Sequence, residues 1–137
     1  MGDREGENME WAFLAGRVIF GLFFVINGVN HFAMWRAMSG YAASKGVPAP
    51  QAAVIITGIM LLLGGASVAT GYQPVIGNLL LIIFLVPVAF WMHNFWAESD
   101  PMMRANQMAH FLKNLALAGA ALALLGVPTP WPLSLGS

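Results

Sequence analysis

The sequence predicts an all-α integral membrane protein, a four-helix bundle with a short interfacial helix between spans one and two. Three observations lead there. Of 137 residues, 58% are hydrophobic and only 9% are charged, against about 25% charged in an ordinary soluble domain. No acidic or basic side chain occurs between Lys45 and Glu98. That leaves room for two crossings of a hydrocarbon core about 30 Å thick, at about 20 residues each. Finally, Pro, Gly and charged residues divide the chain into four long apolar runs, each bounded by helix start and stop signals.

The first run, "WAFLAGRVIFGLFFVINGVNHF", covers residues 11–32 and follows a polar, acidic segment, residues 1–10. That segment lacks the basic n-region of a signal peptide, so the run is expected to be a retained span. In "AMWRAMSGYAASKG", Trp35, Met38 and Tyr41/Ala42 recur at helical spacing while Arg36, Ser39 and Lys45 lie elsewhere. This is the pattern of a helix lying in the membrane interface. The second span, residues 50–71, opens with Pro50 in its first turn and stops at Gly71, both favoured at those positions. The third, residues 74–97, restarts at Pro74, and so short a connection makes the two an antiparallel hairpin. Pro87 inside it is expected to kink the helix or free a carbonyl.

"ESDPMMRANQ" reads as a helix start, with Asp100 at the N-cap and Pro101 at the first helical position. Arg104 is one turn on and expected to pair with Asp100. The fourth span covers residues 104–126, and the tail 127–137 carries three prolines that prevent its continuation. All of 11–126 forms one membrane domain. Most of the five tryptophans fall near span ends, where aromatic belts are expected. Gly58 and Gly65 on span two, and Ala116, Gly119, Ala120 and Ala123 on span four, are small residues suited to close helix–helix approach.

Formal net charge is zero with no basic block, which removes the electrostatic footprint of a nucleic-acid binder. The chain has no cysteine. Disulfides, thiolate metal sites, iron–sulfur clusters and a dithiol relay are thereby excluded from this chain's own chemistry.

In an antiparallel bundle the end of span one, the end of span three and the start of span four share one side of the membrane. Asn27, His31, His93, Asn94, His110, Lys113 and Asn114 gather there, and they include every histidine in the chain. These are the candidate ligand-binding residues; none has an assigned catalytic role. Asn106, His110 and Lys113/Asn114 follow a helical step, as do Asn27 and His31, so each set is expected to face the bundle interior. Lys113 is roughly 13 Å along the helix from Arg104, near mid-membrane. A charge there costs at least about 2.5–3.5 kcal/mol unless it snorkels or is paired, and no Asp or Glu lies inside a span. Lys113 either extends toward the headgroups or takes neutral partners, water or a ligand. Arg17 is expected to snorkel toward Glu10, and His31 to be water-facing or hydrogen-bonded. Three convergent histidines raise zinc, and His93 with His110 raises a bis-imidazole haem. Without an HxxxH, HxxE or ExxH pair, both rank behind the plain hydrogen-bonding role.

The segments "NGVNHFAMWRAMSGYAASKGVPAP", "TGIMLLLGGASVATGY", "FLVPVAFWMHNFW" and "QMAHFLKNLALAGAALAL" together resemble the DoxX family of small bacterial and archaeal membrane proteins. The resemblance runs over residues 12–126, and "HNFW…FLKNLALAG" is its most specific part. It implies a four-helix bundle in the cytoplasmic membrane of a prokaryote. Some members are described as the small subunit of a thiosulfate:quinone oxidoreductase; it implies no catalytic residues. The expected function is thus a membrane component of a quinone- or sulfur-linked redox system, with quinone as the candidate ligand and the bilayer plus a redox partner subunit or a second copy as partners. The alternatives are a small transporter and a non-catalytic scaffold. Arg36, Lys45, Arg104 and Lys113 make the pocket side the more basic, so positive-inside bias favours both termini outside, a sidedness that a reporter fused to the carboxy terminus reads directly.

Overall fold

The computed structural model describes residues 2–136 and contains five α-helices: α1 Gly2–Ala33, α2 Trp35–Ser44, α3 Pro50–Thr70, α4 Pro74–Met92 and α5 Pro101–Leu125. A 3-10 turn, Phe95–Ala97, joins α4 to α5. Four segments are long and apolar enough to cross a membrane: Gly2–Ala33, Pro50–Thr70, Pro74–Ala97 and Pro101–Leu125. The protein is therefore an all-α, four-span membrane protein, and α2 is the additional short helix that the spacing of Trp35, Met38 and Tyr41/Ala42 predicts.

The helix ends follow local chemistry. Asp100 is the N-cap of α5, and its side chain accepts from the Met103 backbone N–H, one of the orphan donors of a first turn. Gly71 closes α3 in the left-handed region at φ 73° and donates to the Ser67 carbonyl, a conformation glycine adopts without the Cβ penalty. The α4 helix runs through Pro87 unbroken to Met92.

Some boundaries differ from expectation. The polar segment before residue 11 is helical from Gly2 and wholly exposed, so α1 extends beyond the bundle. It contains no proline, and Asp3 and Glu5 lie in its first turn, where acidic groups favour the positive end of the helix dipole. The third span reaches Ala97 as expected, but within it α4 ends at Met92 and a 3-10 turn follows, leaving His93 and Asn94 between the two. Asp100 is committed to its cap, and the sole ion pair among the described residues is Lys45 with Glu98, not Asp100 with Arg104.

Helix α1 packs on α3, α3 on α4 and α4 on α5, with α2 lying on α3. Helices α1 and α5 do not form a close backbone pair. The four spans make an open row curled round a core of Phe24, Leu61, Val68, Leu81, Leu85, Ala118 and Trp131. Glycines set the α1–α3 distance. A Cβ on Gly65 would meet the Gly21 carbonyl oxygen at 2.6 Å, and one on Gly28 would meet the Leu62 side chain at 2.8 Å and the Gly58 oxygen at 3.0 Å. Gly58 and Gly65 therefore serve the close approach expected of them. The stripe Ala116, Gly119, Ala120 and Ala123 does not: all four are exposed, and nothing lies within 4 Å of a Cβ built on Gly119. The buried face of α5 is instead Asn114, Ala118 and Ala121.

Gly65→Ala is expected to destabilise the protein by about 1–3 kcal/mol through overpacking. Gly119→Ala leaves stability unchanged or slightly raised, by up to about 1 kcal/mol of helix propensity. Thermal melting of the two variants in detergent micelles checks this contrast.

Candidate functional site

A cavity of about 440 Å³ lies on the side of the molecule where α1 ends and α5 begins, within the usual range for a small-molecule site. Phe24, Leu61, Phe84, Leu85, Val88 and Trp91 are among its apolar lining, and α2 closes its end through Met38, Tyr41 and Ala42. Its mouth is the gap between α1 and α5. Phe23 and Lys113 face each other across that gap, the ammonium 5.6 Å from the ring centroid, and both are exposed.

Of the predicted site residues, Asn27, His31, His93, Lys113 and Asn114 line the cavity, while His110 and Asn94 do not. His31 is buried with its Nδ1 3.0 Å from the Val54 carbonyl oxygen and 3.2 Å from Thr57 Oγ1. A carbonyl can only accept, so Nδ1 carries the proton. The seat exists because Gly58 admits His31: a Cβ there would stand 2.8 Å from the His31 Cβ. The Asn27 amide nitrogen donates to the Phe23 carbonyl at 2.7 Å. Asn114 is 4% exposed; among the described residues the buried side-chain atoms left without a hydrogen-bond partner are Ser39 Oγ and Asn78 Oδ1, not its amide. Asn114 is the buried member of the polar pair on α5; Lys113 stands beside it at the mouth, and Asn106, two turns earlier on the expected face, is exposed.

Lys113 has no carboxylate and no hydrogen-bond acceptor among the described residues; Phe23 is its company. A cation–π contact between exposed groups contributes about 0.5–1 kcal/mol, which offsets only part of the insertion cost. The N–H donors of the ammonium remain for something else.

Behind the cavity, a hydrogen-bonded latch ties α2 to the α4–α5 connection. His93 Nδ1 lies 2.8 Å from Gln107 Oε1, Gln107 Nε2 donates to the Tyr41 hydroxyl at 2.8 Å, and that hydroxyl donates to the Met92 carbonyl at 3.0 Å. Alongside, Lys45 donates to Asn94 Oδ1 at 2.8 Å and pairs with Glu98 at 3.7 Å, while Trp91 Nε1 donates to the Lys45 carbonyl at 2.8 Å. Asn94 is thus a structural acceptor rather than a lining residue. Tyr41, Thr57 and Gln107 carry functions not assigned to them from sequence. Gln107 was legible as polar on the correct helix; Tyr41 and Thr57 gave no spacing signal linking them to the cluster.

His110 stacks on His93, ring centroids 5.0 Å apart and planes at 24°. Two imidazoles serving as axial haem ligands must each aim a nitrogen at an iron between them, whereas these present their faces. Among the described residues no group of three or more His, Cys, Asp or Glu comes together that could hold a metal ion.

At the opposite end, Arg17 departs from the expected snorkelling anchor. It is 2% exposed. Its guanidinium donates to the Pro132 carbonyl at 2.6 Å, to the Leu133 carbonyl and to the Ala69 carbonyl at 3.4 Å, and stands over the rings of Phe13 and Trp131. The proline-rich tail folds back to supply these acceptors, the Leu135 N–H donates to the Thr70 carbonyl at 3.0 Å, and Trp131 is buried against Phe13 rather than sitting in an interfacial belt. Glu10 is fully solvent-side on the projecting part of α1.

Helix order and hydropathy define a small multi-pass α-helical membrane protein with an internal cavity. The chain belongs to the DoxX family, whose model, described as DoxX, matches residues 12–94. That match covers α1 to α4 and stops before Lys113 and Asn114. The chain is also similar to a protein of Escherichia coli (strain K12) named "Inner membrane protein YphA", with 30% identity over 122 residues, 89% of this chain and 86% of that protein. No solved structure matches the chain.

Arg17→Leu is expected to release the tail. A hydrogen bond to a charged group contributes about 1.5–3 kcal/mol, so amide hydrogen exchange at Leu135 should accelerate at least about tenfold. Exchange unchanged from the parent would show that Arg17 does not hold the tail.

Proposed function

We propose that this protein is a component of a membrane redox system that admits a quinone-class lipophile from the bilayer into the cavity between α1 and α5. The observation that carries the reading is the Lys113 ammonium, without a hydrogen-bond acceptor among the described residues, at the mouth of a largely apolar chamber that the mostly buried Asn114 also lines. A headgroup with oxygens and an isoprenoid-like tail fits both features. Its oxygens accept from Lys113 and Asn114, while its ring lies among Phe24, Phe84 and Trp91 and its tail leaves through the gap. A positioned ammonium stabilises negative charge developing on a quinone oxygen during reduction, and the imidazoles of His31 and His93 are suited to proton transfer.

This chain carries no cysteine, so thiol or sulfur oxidation would take place on a partner subunit or on substrate, with electrons passing to the lipophile. The resemblance of "HNFW…FLKNLALAG" to the DoxX family, some of whose members are described as the small subunit of a thiosulfate:quinone oxidoreductase, and the inner-membrane name of the Escherichia coli relative support a setting in the cytoplasmic membrane of a prokaryote.

In detergent, a decyl-substituted benzoquinone at saturating concentration should raise the melting temperature of the protein. Site occupancy at a hundred times Kd corresponds to about 2.7 kcal/mol. Lys113→Met, measured against its own ligand-free melting temperature, should lose most of the quinone-induced rise. A rise of equal size in Lys113→Met would reject the assignment of the cavity as the quinone site.

A further inference from the structure

The hydrogen bonds behind the cavity fix what its polar groups offer a ligand. The Met92 carbonyl can only accept, so the Tyr41 hydroxyl, 3.0 Å away, spends its proton there. Its oxygen must then accept from Gln107, which turns the amide nitrogen of Gln107 toward Tyr41 and its oxygen toward His93. An amide oxygen also only accepts, so His93 carries its proton on Nδ1 and its Nε2 is left as an acceptor. The Val54 carbonyl fixes His31 in the same way, with Nδ1 protonated and Nε2 an acceptor. Asn27 spends an amide hydrogen on the Phe23 carbonyl, leaving Oδ1 without a partner among the described residues. Around the chamber stand three committed acceptors, His31 Nε2, His93 Nε2 and Asn27 Oδ1, against one committed donor, Lys113; Asn114 offers both.

We infer that the cavity selects a ligand that donates hydrogen bonds, and that for a quinone-class lipophile it therefore binds the two-electron-reduced hydroquinone more tightly than the quinone. The inference rests on the reading of the cavity as a quinone site and adds the oxidation state it prefers. A quinone carries only carbonyl acceptors, so its oxygens meet lone pairs at the imidazoles, and buried acceptors left without donors cost binding. A hydroquinone brings two hydroxyl donors to the same nitrogens. Lys113 donates to a carbonyl or a hydroxyl oxygen alike and does not discriminate between the forms. Gln107 is a positioning residue that acts on the ligand through the proton it holds on His93 Nδ1; Tyr41 orients the Gln107 amide in turn and also lines the chamber.

The test is anaerobic calorimetry in detergent at pH 8, where an ordinary imidazole is neutral. It compares a decyl-substituted benzoquinone, its hydroquinone and the hydroquinone dimethyl ether, which has the same ring and no O–H. The hydroquinone is expected to bind at least tenfold more tightly than either of the others. A tenfold preference raises the midpoint potential of the bound couple by about 30 mV. Gln107→Leu frees the His93 tautomer, and Tyr41→Phe frees the Gln107 amide to turn round. Both should shrink the preference at least threefold while leaving quinone affinity within a factor of two; a merely structural role would weaken all three ligands together. Should one variant fail to fold, the other carries the test. Equal or tighter quinone binding, or a preference unchanged in the folded variants, overturns the inference and leaves the cavity assignment standing. Failure of all three compounds to bind overturns the quinone reading itself.

Discussion

The close approach of α1 to α3 governs the rest of the molecule. Gly21 against Gly65 and Gly28 against Gly58 bring the two backbones to a distance that no side chain would allow. In lipid, where association gains little from burying apolar surface, such contact supplies van der Waals attraction in its place. Drawing α1 onto α3 has two effects. It seats His31 against the start of α3, where Nδ1 reaches the Val54 carbonyl, and it leaves α1 and α5 without a close backbone pair. The gap, the chamber behind it and the tautomer of one of its imidazoles follow from the same glycines.

The two cations inside the spans are handled differently, and the contrast identifies the site. Arg17 meets three main-chain carbonyls and two aromatic faces, supplied partly by a tail that folds back for the purpose. A planar guanidinium with several donors is suited to such a nest of carbonyls. Lys113 meets one aromatic face. An intramembrane charge is costly unless its partners are present; the fold supplies them to Arg17, and the proposed ligand would supply an oxygen to Lys113.

Much of this was legible in the sequence because lipid imposes few solutions. Long uncharged runs must be helices, and prolines, glycines and Asp100 mark their ends. That is why α3, α4 and α5 begin at Pro50, Pro74 and Pro101 as expected. The gathering of Asn27, His31, His93, Lys113 and Asn114 around one space followed from antiparallel order alone. Periodicity could not tell which neighbour each face meets. The small stripe of α5 resembles the glycines of α3 in composition, yet lies exposed, since contact depends on a partner helix that spacing does not name. Arg17 departs from expectation for a related reason: its acceptors are backbone carbonyls, two of the three more than a hundred residues away in sequence, and carbonyls carry no residue-type signal. Asn94 and His110 share the side of the membrane but are diverted to Lys45 and His93 by the geometry of the α4–α5 connection.

Native mass spectrometry of the protein extracted from its own membrane tests the central claim most directly, that the gap between α1 and α5 admits a lipophile with an oxygen-bearing headgroup. The account predicts a retained adduct, one per chain, that releases a quinone-class molecule on collisional activation. A chain that flies bare, or carries phospholipid alone under conditions that preserve its fold, would contradict it.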